Sequence, residues 1–244
     1  MRILLLDIES TPLIGYTWGL WEQNVIQKIQ DSFILCVAYK WLGEGKVNII
    51  SQPDFPRYEK NKTDDKYVLL ELWKVLDEAD IVIAHNGMSF DLPKINARFI
   101  THGMTPPSPY KVIDTLRVSR NKFKFDSNKL DALGKTLGVG QKLEHEGIKL
   151  WLDCMSGDES AWKKMIKYNK QDVALLEEVY LKLRPWITNH PYIGNKPDEC
   201  PNCHSEKLQS RGTQINKGGK VNYRFQCQDC GAWTHTKNNE KAKI

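Results

Sequence analysis

Two Cys-x-x-Cys pairs close to the end of this 244-residue chain restrict its fold more than any other feature. They are Cys200-Pro-Asn-Cys203 and Cys227-Gln-Asp-Cys230, and 23 residues lie between them. The chain shows no export signal, so we expect a cytoplasmic protein, and in that reducing compartment clustered thiols indicate a metal site rather than disulfides. Four thiolates in this pattern predict one tetrahedral Zn²⁺, which is structural because no coordination position stays open.

The segment around these cysteines is too short to fold by burial alone. Residues 198–244 cannot enclose a large apolar core, so we expect the zinc ion to hold them together as a zinc ribbon. His204 and His235 are the alternative ligands. We therefore predict three parts: an α/β domain at residues 1–185, a proline-containing linker at 186–197, and the ribbon at 198–244.

Apolar patterning predicts that residues 1–185 form one α/β domain with a mixed sheet flanked by helices. Hydrophobic residues at 41% and charged residues at 27% are typical of a folded globular protein. The opening apolar run is cut by Asp7 and is too short for a membrane span or a signal peptide. Strands are predicted at residues 2–7, 33–42, 46–51, 81–84 and 112–115, and helices at 65–78, 91–101, 127–137, 148–155 and 159–183.

Acidic residues follow the predicted strands at positions where ligands bind in α/β sheets. Asp7 and Glu9 lie two residues apart on one strand face, and they repel each other unless a cation lies between them. Asp91 follows another buried strand after a polar turn that contains His85 and Asn86. Asp91 is therefore either part of the same site or only the N-cap of its helix.

The last predicted helix of this domain carries Tyr168 and Asp172, which lie four residues apart and therefore on one helix face. That face continues into an apolar stripe at Val173 and Leu176. An acid beside buried side chains needs a positive partner, which is either a metal ion or a nearby lysine such as Lys164. We therefore expect this helix to contribute to the same site as the strand ends.

These acids occur in three motifs that resemble those of the DEDD superfamily, the DnaQ-like 3′-to-5′ exonucleases with an RNase H-like fold. The motifs are Leu4-Leu5-Leu6-Asp7-Ile8-Glu9, then His85-Asn86 ahead of Phe90-Asp91, then Tyr168-Asn169-Lys170-Gln171-Asp172. The stretch through Trp18-Gly19-Leu20-Trp21 resembles the YprB-type branch found in bacteria and phages. The resemblance covers residues 1–185, and the order and spacing of the motifs carry it.

The resemblance implies a metal-dependent nuclease that hydrolyses phosphodiester bonds of DNA or RNA from the 3′ end. Two Mg²⁺ or Mn²⁺ ions held by carboxylates would activate water and stabilise the leaving oxygen. Lys167 stands where a DnaQ-like histidine would be, so Tyr168 implies the tyrosine subtype, in which the hydroxyl orients the attacking water. Asp7 is expected to bridge both ions. The implied ligands are Asp7, Glu9, Asp91 and Asp172.

Other residues near the motifs have smaller predicted roles. Trp18 and Trp21 either stack on bases of the substrate or pack in the core. Asn86 is expected to help position the terminal nucleotide, whereas His85 is expected to be a polar turn residue. Asp114 ends another predicted strand, and a structural hydrogen-bonding role is favoured there over a role beside the metal ions.

The ribbon is expected to contact a partner. Residues 223–227 alternate aromatic and polar side chains as a strand does, and they resemble zinc ribbons of nucleic-acid enzymes, including some transposases. The segment from residue 194 carries +4 of the chain's net charge of +5, which suits binding to a nucleic-acid backbone. A ribbon that docks on a replication, repair or phage-encoded protein is the alternative. The basic residues concerned are Lys217, Lys220, Arg224, Lys237, Lys241 and Lys243.

Two other functions fit parts of this pattern. A non-catalytic nucleic-acid-binding adaptor would keep the fold without the chemistry, and a structure-specific endonuclease or ribonuclease would use the same ions. The four acids and Tyr168 are all present, which favours an enzyme because a degenerate copy loses at least one of them. We expect DNA or RNA as the partner and no membrane.

Overall fold

A computed structural model of the chain describes residues 1–21, 23–187, 190–191, 199–215 and 218–235. The chain divides into two compact units, Met1–Tyr180 and Leu181–Ile244. Most of the predicted linker at residues 186–197 lies outside the described residues. Within the part of the chain that is described, no helix combines the length and the apolar character needed to cross a membrane.

The first unit is built on a mixed sheet, which confirms the predicted fold class. Its strands are β1 (Ile3–Ser10), β2 (Ile14–Tyr16), β3 (Gln27–Gln30), β4 (Ile34–Trp41), β5 (Asn48–Ser51), β6 (Ile81–Ala84) and β7 (Lys111–Asp114). The main sheet has the order β5-β4-β1-β6-β7, and β1 in its middle runs antiparallel to β4 and parallel to β6. Strands β2 and β3 form a separate hairpin that was not predicted from the sequence.

Helices flank this sheet largely where apolar periodicity predicted them. They are α1 (Lys66–Asp77), α2 (Asp91–Thr101), α3 (Thr115–Lys122), α4 (Leu130–Thr136), α5 (Ile148–Ser156) and α6 (Glu159–Leu183). The predicted bounds of α2 and α6 are confirmed. The helix predicted at residues 127–137 begins later because Lys129 has an extended backbone. Helix α3 was not predicted, because its buried residues, Thr115 and Ser119, are polar and leave no apolar period.

Apolar clusters on both faces of the sheet fix the position of β1. Leu4, Leu6 and Ile8 pack with residues of α1 and α2 on one face. The other face is covered by residues of α5 and α6, which pack around Leu35 and Cys36 of β4. Because side chains alternate along a strand, the odd-numbered residues at the end of β1 point to the face that α6 covers.

A buried ion cluster joins α2 to the start of α1 and to β4. The Asp65 carboxylate is fully buried and accepts two hydrogen bonds from Arg98, at 2.8 and 2.7 Å, and one from the Ile34 N–H at 2.9 Å. His102 Nε2 lies 2.8 Å from the same carboxylate. Arg98 already neutralises this acid, so the grouping of Asp64, Asp65 and His102 is a structural cluster rather than a metal site.

Substitution of Asp65 tests this assignment. Asp65→Ala is expected to lower the free energy of unfolding by about 3–5 kcal/mol, because it leaves Arg98 half-buried without its carboxylate and the Ile34 N–H without an acceptor. Urea unfolding at neutral pH measures this change. Glu71→Ala, which breaks an exposed ion pair with Lys74, is the control and should change stability by less than about 1 kcal/mol. Equal losses in the two variants would contradict the assignment.

The second unit is a small antiparallel sheet around the cysteines. Its strands are β8 (Leu208–Ile215), β9 (Val221–Cys227) and β10 (Trp233–His235), in the order β10-β9-β8. The strand predicted at residues 223–227 is confirmed as the second part of β9. Among the described residues of this unit, the buried ones that cluster are Cys200, Cys227 and Ala232. A core of this size cannot stabilise a fold, so this unit depends on whatever the cysteines bind.

Candidate active site and metal centres

The end of β1 directs two carboxylates into the space beside the last helix of the first unit. Asp7 and Glu9 point away from the cluster that contains Leu6 and Ile8 and toward α6. Carboxylate oxygens of Asp7, Glu9 and Asp172 lie within 4.8 Å of one another. The structure therefore brings together three of the four acids that the sequence singled out.

Asp91, the fourth acid, is the first residue of α2 and is bound to β1. Its Oδ1 accepts a hydrogen bond from the Ile8 N–H at 3.1 Å, and its side chain is buried. The N-cap of α2 is Phe90, and no side chain caps this helix, so the N-cap alternative for Asp91 is wrong. Asp91 lies outside the group of three acids described above, but burial and then its negative charge raise the pKa of Asp7.

Burial and repulsion between neighbouring carboxylates disfavour the charged forms of these acids. Burial, followed by the charge of Asp172, raises the pKa of Glu9 to about 8. Burial raises the pKa of Asp91 to about 6, although the hydrogen bond from Ile8 acts in the opposite direction. Burial and three neighbouring carboxylates raise the pKa of Asp7 well above its ordinary range. A bound cation would relieve this repulsion and restore the charged forms.

The side chains fit a divalent cation. Asp172 Oδ1 is buried and has no hydrogen-bond partner among the described residues, although buried polar atoms are nearly always paired. Carboxylate oxygens are the ligands that Mg²⁺ and Mn²⁺ prefer. The cluster therefore offers hard donors together with a buried oxygen that a metal ion would satisfy.

Lys142, on the loop between α4 and α5, is the cation that the structure places in this cluster. Its Nζ lies 2.5 Å from Asp172 Oδ2 and donates a hydrogen bond to Tyr168 Oη at 3.1 Å. Burial opposes its charge, but the ion pair with Asp172 raises the pKa of its ammonium above the ordinary value. Lys164, the lysine named from the sequence, is the wrong one, because it pairs with Glu146 at 2.5 Å. One ammonium leaves the four carboxylates with a net negative charge.

Tyr168 is buried in an aromatic cluster beside the acids. The His145 ring lies 4.8 Å from it between ring centroids, and the Trp151 ring lies 6.2 Å away. Burial raises the pKa of Glu9, and the nearby Trp151 side chain acts in the opposite direction. Burial and the charge of Asp172 raise the pKa of Tyr168, so its hydroxyl keeps its proton at neutral pH. Neither His145 nor Trp151 was singled out from the sequence, because both lie outside the three motifs.

Asn169 is another residue whose role was not predicted. It is fully buried on α6, and its Nδ2 donates a hydrogen bond to Asp7 Oδ2 at 2.7 Å. The Cys36 thiol lies 3.6 Å from Asn169 Oδ1 on the other side of the amide. Asn169 therefore fixes the orientation of the Asp7 carboxylate. Its position next to Tyr168, on a helix with buried neighbours, was the signal available in the sequence.

Hydrogen bonds to the Asp114 carboxylate hold the turn between β6 and α2 in place. Asp114 accepts bonds from the backbone N–H groups of Asn86 and Met88 and also from the first turn of α3. This is the structural role that was favoured for Asp114. The His85 ring contacts Thr115 Oγ1 at 2.9 Å, and burial lowers its pKa to about 4, so it stays neutral and supports the turn. Asn86 has a φ of +68°, and its predicted contact with a nucleotide stays a prediction.

Trp18 and Trp21 lie beyond β2, in the connection to β3, and both are almost fully exposed. Core packing, the alternative considered for them, is therefore wrong. Their predicted contact with nucleic acid stays a prediction.

The four predicted zinc ligands come together in the second unit. The sulfurs of Cys200, Cys203, Cys227 and Cys230 lie within 4.8 Å of one another, and two of their pairs are 3.6 Å apart. Four sulfurs about 2.3 Å from a central ion would be about 3.8 Å apart, so this cluster fits a tetrahedral Zn²⁺. His204 and His235, the alternative ligands, do not belong to the group.

Part of the predicted basic surface of the ribbon is described. Lys220 and Arg224 lie in described segments, and the Arg224 guanidinium lies 5.7 Å from the centroid of the Trp233 ring. Lys217, Lys237, Lys241 and Lys243 lie outside the described residues. The partner of the ribbon, nucleic acid or protein, stays a prediction.

Comparison with known proteins assigns the fold to a family. A model of the RNase_H superfamily matches residues 4–184, so the chain belongs to this superfamily. A DNA polymerase III PolC-type protein of Ureaplasma parvum is 30% identical over 138 residues, which are 55% of this chain and 9% of that protein. The family B DNA polymerase of the archaeon Pyrobaculum calidifontis is similar in structure, with a TM-score of 0.57 and 17% identity, over 76% of this chain and 25% of that chain.

The family B polymerase therefore contains a region with the same fold as most of the present chain. This chain spans under a tenth of the PolC-type protein and a quarter of the family B polymerase, so both likenesses concern one part of those larger proteins.

Substitution of Lys142 tests the charge of the acidic cluster. Lys142→Met removes a positive charge beside four carboxylates, so the affinity for Mn²⁺ should rise about tenfold or more. Isothermal titration calorimetry with Mn²⁺ at slightly alkaline pH measures the change. Lys164→Met removes a similar charge from an exposed pair outside the cluster and is the control. The interpretation fails if both variants bind Mn²⁺ alike, or if Lys142→Met binds it more weakly.

Metal analysis tests the cysteine cluster. The purified chain is expected to contain one zinc ion, and Cys227→Ser should reduce bound zinc to near zero because a three-thiolate site holds the ion more weakly. Inductively coupled plasma mass spectrometry gives the metal content. Cys154→Ala, which removes a thiol in the apolar core of the first unit, is the control and should keep the zinc. Zinc that survives Cys227→Ser would rule out the four-cysteine site.

Proposed function

We propose that the first unit is a two-metal 3′-to-5′ exonuclease of the DEDD tyrosine subtype, which acts on DNA or RNA. One observation carries the proposal: the β1 carboxylates of Asp7 and Glu9 meet Asp172 of α6, whose Oδ1 is buried and has no partner among the described residues. Asp91 of α2 is bound to the backbone of the same strand at Ile8. A protein that needed these acids only for stability would pair them with basic residues. The proposal assigns residues 1–185 to the nuclease and residues 198–244 to the zinc ribbon.

The relatives support a role in nucleic-acid processing. The PolC-type protein and the family B protein are named as DNA polymerases, and this chain matches a limited part of each. Membership of the RNase_H superfamily agrees with the resemblance to DEDD exonucleases. Polymerase activity itself is not proposed, because the chain corresponds to so small a share of those proteins.

Two divalent ions bound by Asp7, Glu9, Asp91 and Asp172 would supply an activated water and stabilise the charge of the leaving oxygen. Asp7 suits the bridging position because its carboxylate lies among the other three acids, all of which raise its pKa. Asn169 holds one oxygen of Asp7 in place and so limits the orientations of the carboxylate. The orientation of Asp7 is therefore set before any substrate arrives.

Tyr168 has the role of an orienting group in this mechanism. Its raised pKa keeps the phenol protonated, so it acts through hydrogen bonds and not as a base. Its hydroxyl accepts a hydrogen bond from Lys142 Nζ, which also pairs with Asp172. A side chain fixed in this way can hold a water molecule in line with a phosphorus atom, which is the function that the tyrosine subtype implies.

Cleavage of end-labelled substrates tests the proposal. Wild-type protein with Mg²⁺ or Mn²⁺ should shorten single-stranded or duplex DNA or RNA stepwise from the 3′ end, and EDTA should stop it. Asp7→Asn and Asp172→Asn each remove a charged ligand, worth several kcal/mol of transition-state stabilisation, so the rate should fall by about 10²–10³-fold. Denaturing gels of 5′-labelled strands give both rate and polarity.

Asp153→Asn is the matched control, because it makes the same change in an exposed ion pair with Lys149. It should leave the rate unchanged. Internal products would indicate an endonuclease, and shortening of RNA alone would indicate a ribonuclease. Binding without cleavage at any metal concentration would indicate a non-catalytic adaptor and would end the nuclease proposal.

A further inference from the structure

The β2–β3 hairpin projects from the strand that carries the catalytic acids. It begins shortly after Ser10, the last residue of β1 and the neighbour of Glu9. Its base is tied to the start of β4, because Thr11 N–H donates to the Phe33 carbonyl at 2.9 Å and Thr11 Oγ1 accepts from the Phe33 N–H at 3.0 Å. Strand β1 carries Asp7 and Glu9 and also leads directly into the hairpin, so it positions both.

The far end of the hairpin exposes large apolar side chains, which we call the aromatic tip: Tyr16, Trp18, Leu20 and Trp21. Trp18 is 89% exposed, Leu20 92% and Trp21 83%. Exposed apolar side chains next to one another are rare on a folded surface unless they bind something. Here they follow, along the chain, the strand whose acids we assign to the cleavage of nucleic acid.

Local contacts give the aromatic tip a defined conformation. Thr17 Oγ1 donates to the Gly19 carbonyl at 2.8 Å, and Gln23 Nε2 donates to the Trp21 carbonyl at 3.0 Å. At Gly15, in β2, a Cβ atom would lie 2.8 Å from the backbone carbonyl oxygen of Gln27 in β3, so only glycine allows the two strands to approach this closely. The aromatic tip is therefore exposed to solvent and yet held in one conformation by local contacts. These are the properties of a binding surface and not of a frayed chain segment.

The composition around the tip favours nucleobases as the occupant. An indole ring presents a flat π face to a base, and such stacking tolerates any base sequence. Residues 11–31 contain one cation, Lys28, and it pairs with Asp31 at 2.6 Å. A tip that bound an anionic membrane would carry several unpaired lysines or arginines. Amide side chains, which offer hydrogen bonds to base edges, are instead found nearby at Gln23, Asn24, Gln27 and Gln30.

Distance sets the part of the substrate that the tip can reach. Trp18 lies nine positions after Glu9, so its backbone lies no more than about 30 Å from that of Glu9. A strand whose 3′ end lies among the acids would pass within this distance. A base can stack on an indole only if one of its faces is free, which excludes bases inside a duplex.

We propose that the aromatic tip binds unpaired bases upstream of the 3′ end, so that single-stranded nucleic acid, or a single-stranded 3′ overhang, is the substrate class. The inference rests on the proposed nuclease function, because it takes the acidic cluster as the place of the 3′ end. Trp18 and Trp21 act in binding and not in bond cleavage. Their loss should therefore raise KM and leave kcat on a saturating single strand unchanged.

Binding without added Mg²⁺ or Mn²⁺ tests the tip separately from catalysis. With no chelator present, so that the ribbon keeps its zinc, fluorescence anisotropy compares a labelled single strand, a blunt duplex and an abasic strand of equal length. Trp18→Ala/Trp21→Ala should weaken single-strand binding about thirtyfold or more, with little effect on the abasic strand. Single strands that contain 2-aminopurine should lose fluorescence when they bind the wild type but not the double variant.

Two further variants keep the result unambiguous. Trp18→Phe/Trp21→Phe retains aromatic faces and should recover most of the binding. Trp186→Ala removes another exposed tryptophan, outside the hairpin, and should bind like the wild type. Circular dichroism confirms that each variant is folded before it is compared.

The outcomes separate the two proposals. Base-dependent binding through the tip without cleavage in Mg²⁺ or Mn²⁺ contradicts the nuclease but supports the tip. Cleavage of single strands with an unchanged KM in the alanine double variant supports the nuclease and overturns the tip. The tip proposal is also overturned if the only effect of the double alanine substitution is to convert a dimer of the chain into a monomer. It is overturned as well if the double variant loses affinity equally for the single-stranded, duplex and abasic substrates.

Discussion

Repulsion among closely spaced carboxylates is the constraint on which the first unit depends. Asp7, Glu9 and Asp172 lie together beside Asp91, and burial raises the pKa values of all four. Such a cluster opposes folding, and a single ammonium offsets only part of its charge. The surrounding structure must therefore hold the acids in place, and binding of the cations that the proposed function requires should stabilise the folded chain.

The architecture meets this constraint by placing β1 in the middle of the sheet. Apolar clusters cover both of its faces, so the strand cannot rotate to move its carboxylates into solvent. Helix α6 adds Asp172 from one long rigid element, and α2 adds Asp91 through a hydrogen bond to the β1 backbone. Asn169 then fixes Asp7 itself. Each acid is thus held by an element whose position is set by packing elsewhere.

The ribbon and the hairpin are stabilised in different ways. The described residues of the ribbon bury too little apolar surface for a core, so its stability is expected to depend on a metal ion bound by the four clustered cysteines. The hairpin is short and isolated from the main sheet, and an isolated two-stranded hairpin is only marginally stable. Its base is therefore pinned at Thr11, which leaves the far end free to expose its aromatic side chains.

The sequence by itself determined the features that depend on local order. Apolar patterning predicted the bounds of β6, α2 and α6, and the spacing of the cysteines predicted the four-sulfur cluster. The resemblance of the acidic motifs to those of exonucleases predicted that Asp7, Glu9 and Asp172 would meet. Only the tertiary structure decided that Lys142, 30 residues from Asp172, is its partner, and that Asn169 reaches back 162 residues to Asp7. The exposure of Trp18 and Trp21 was decided in the same way. Pairings of this kind depend on where separate elements pack, and local periodicity carries no information about that.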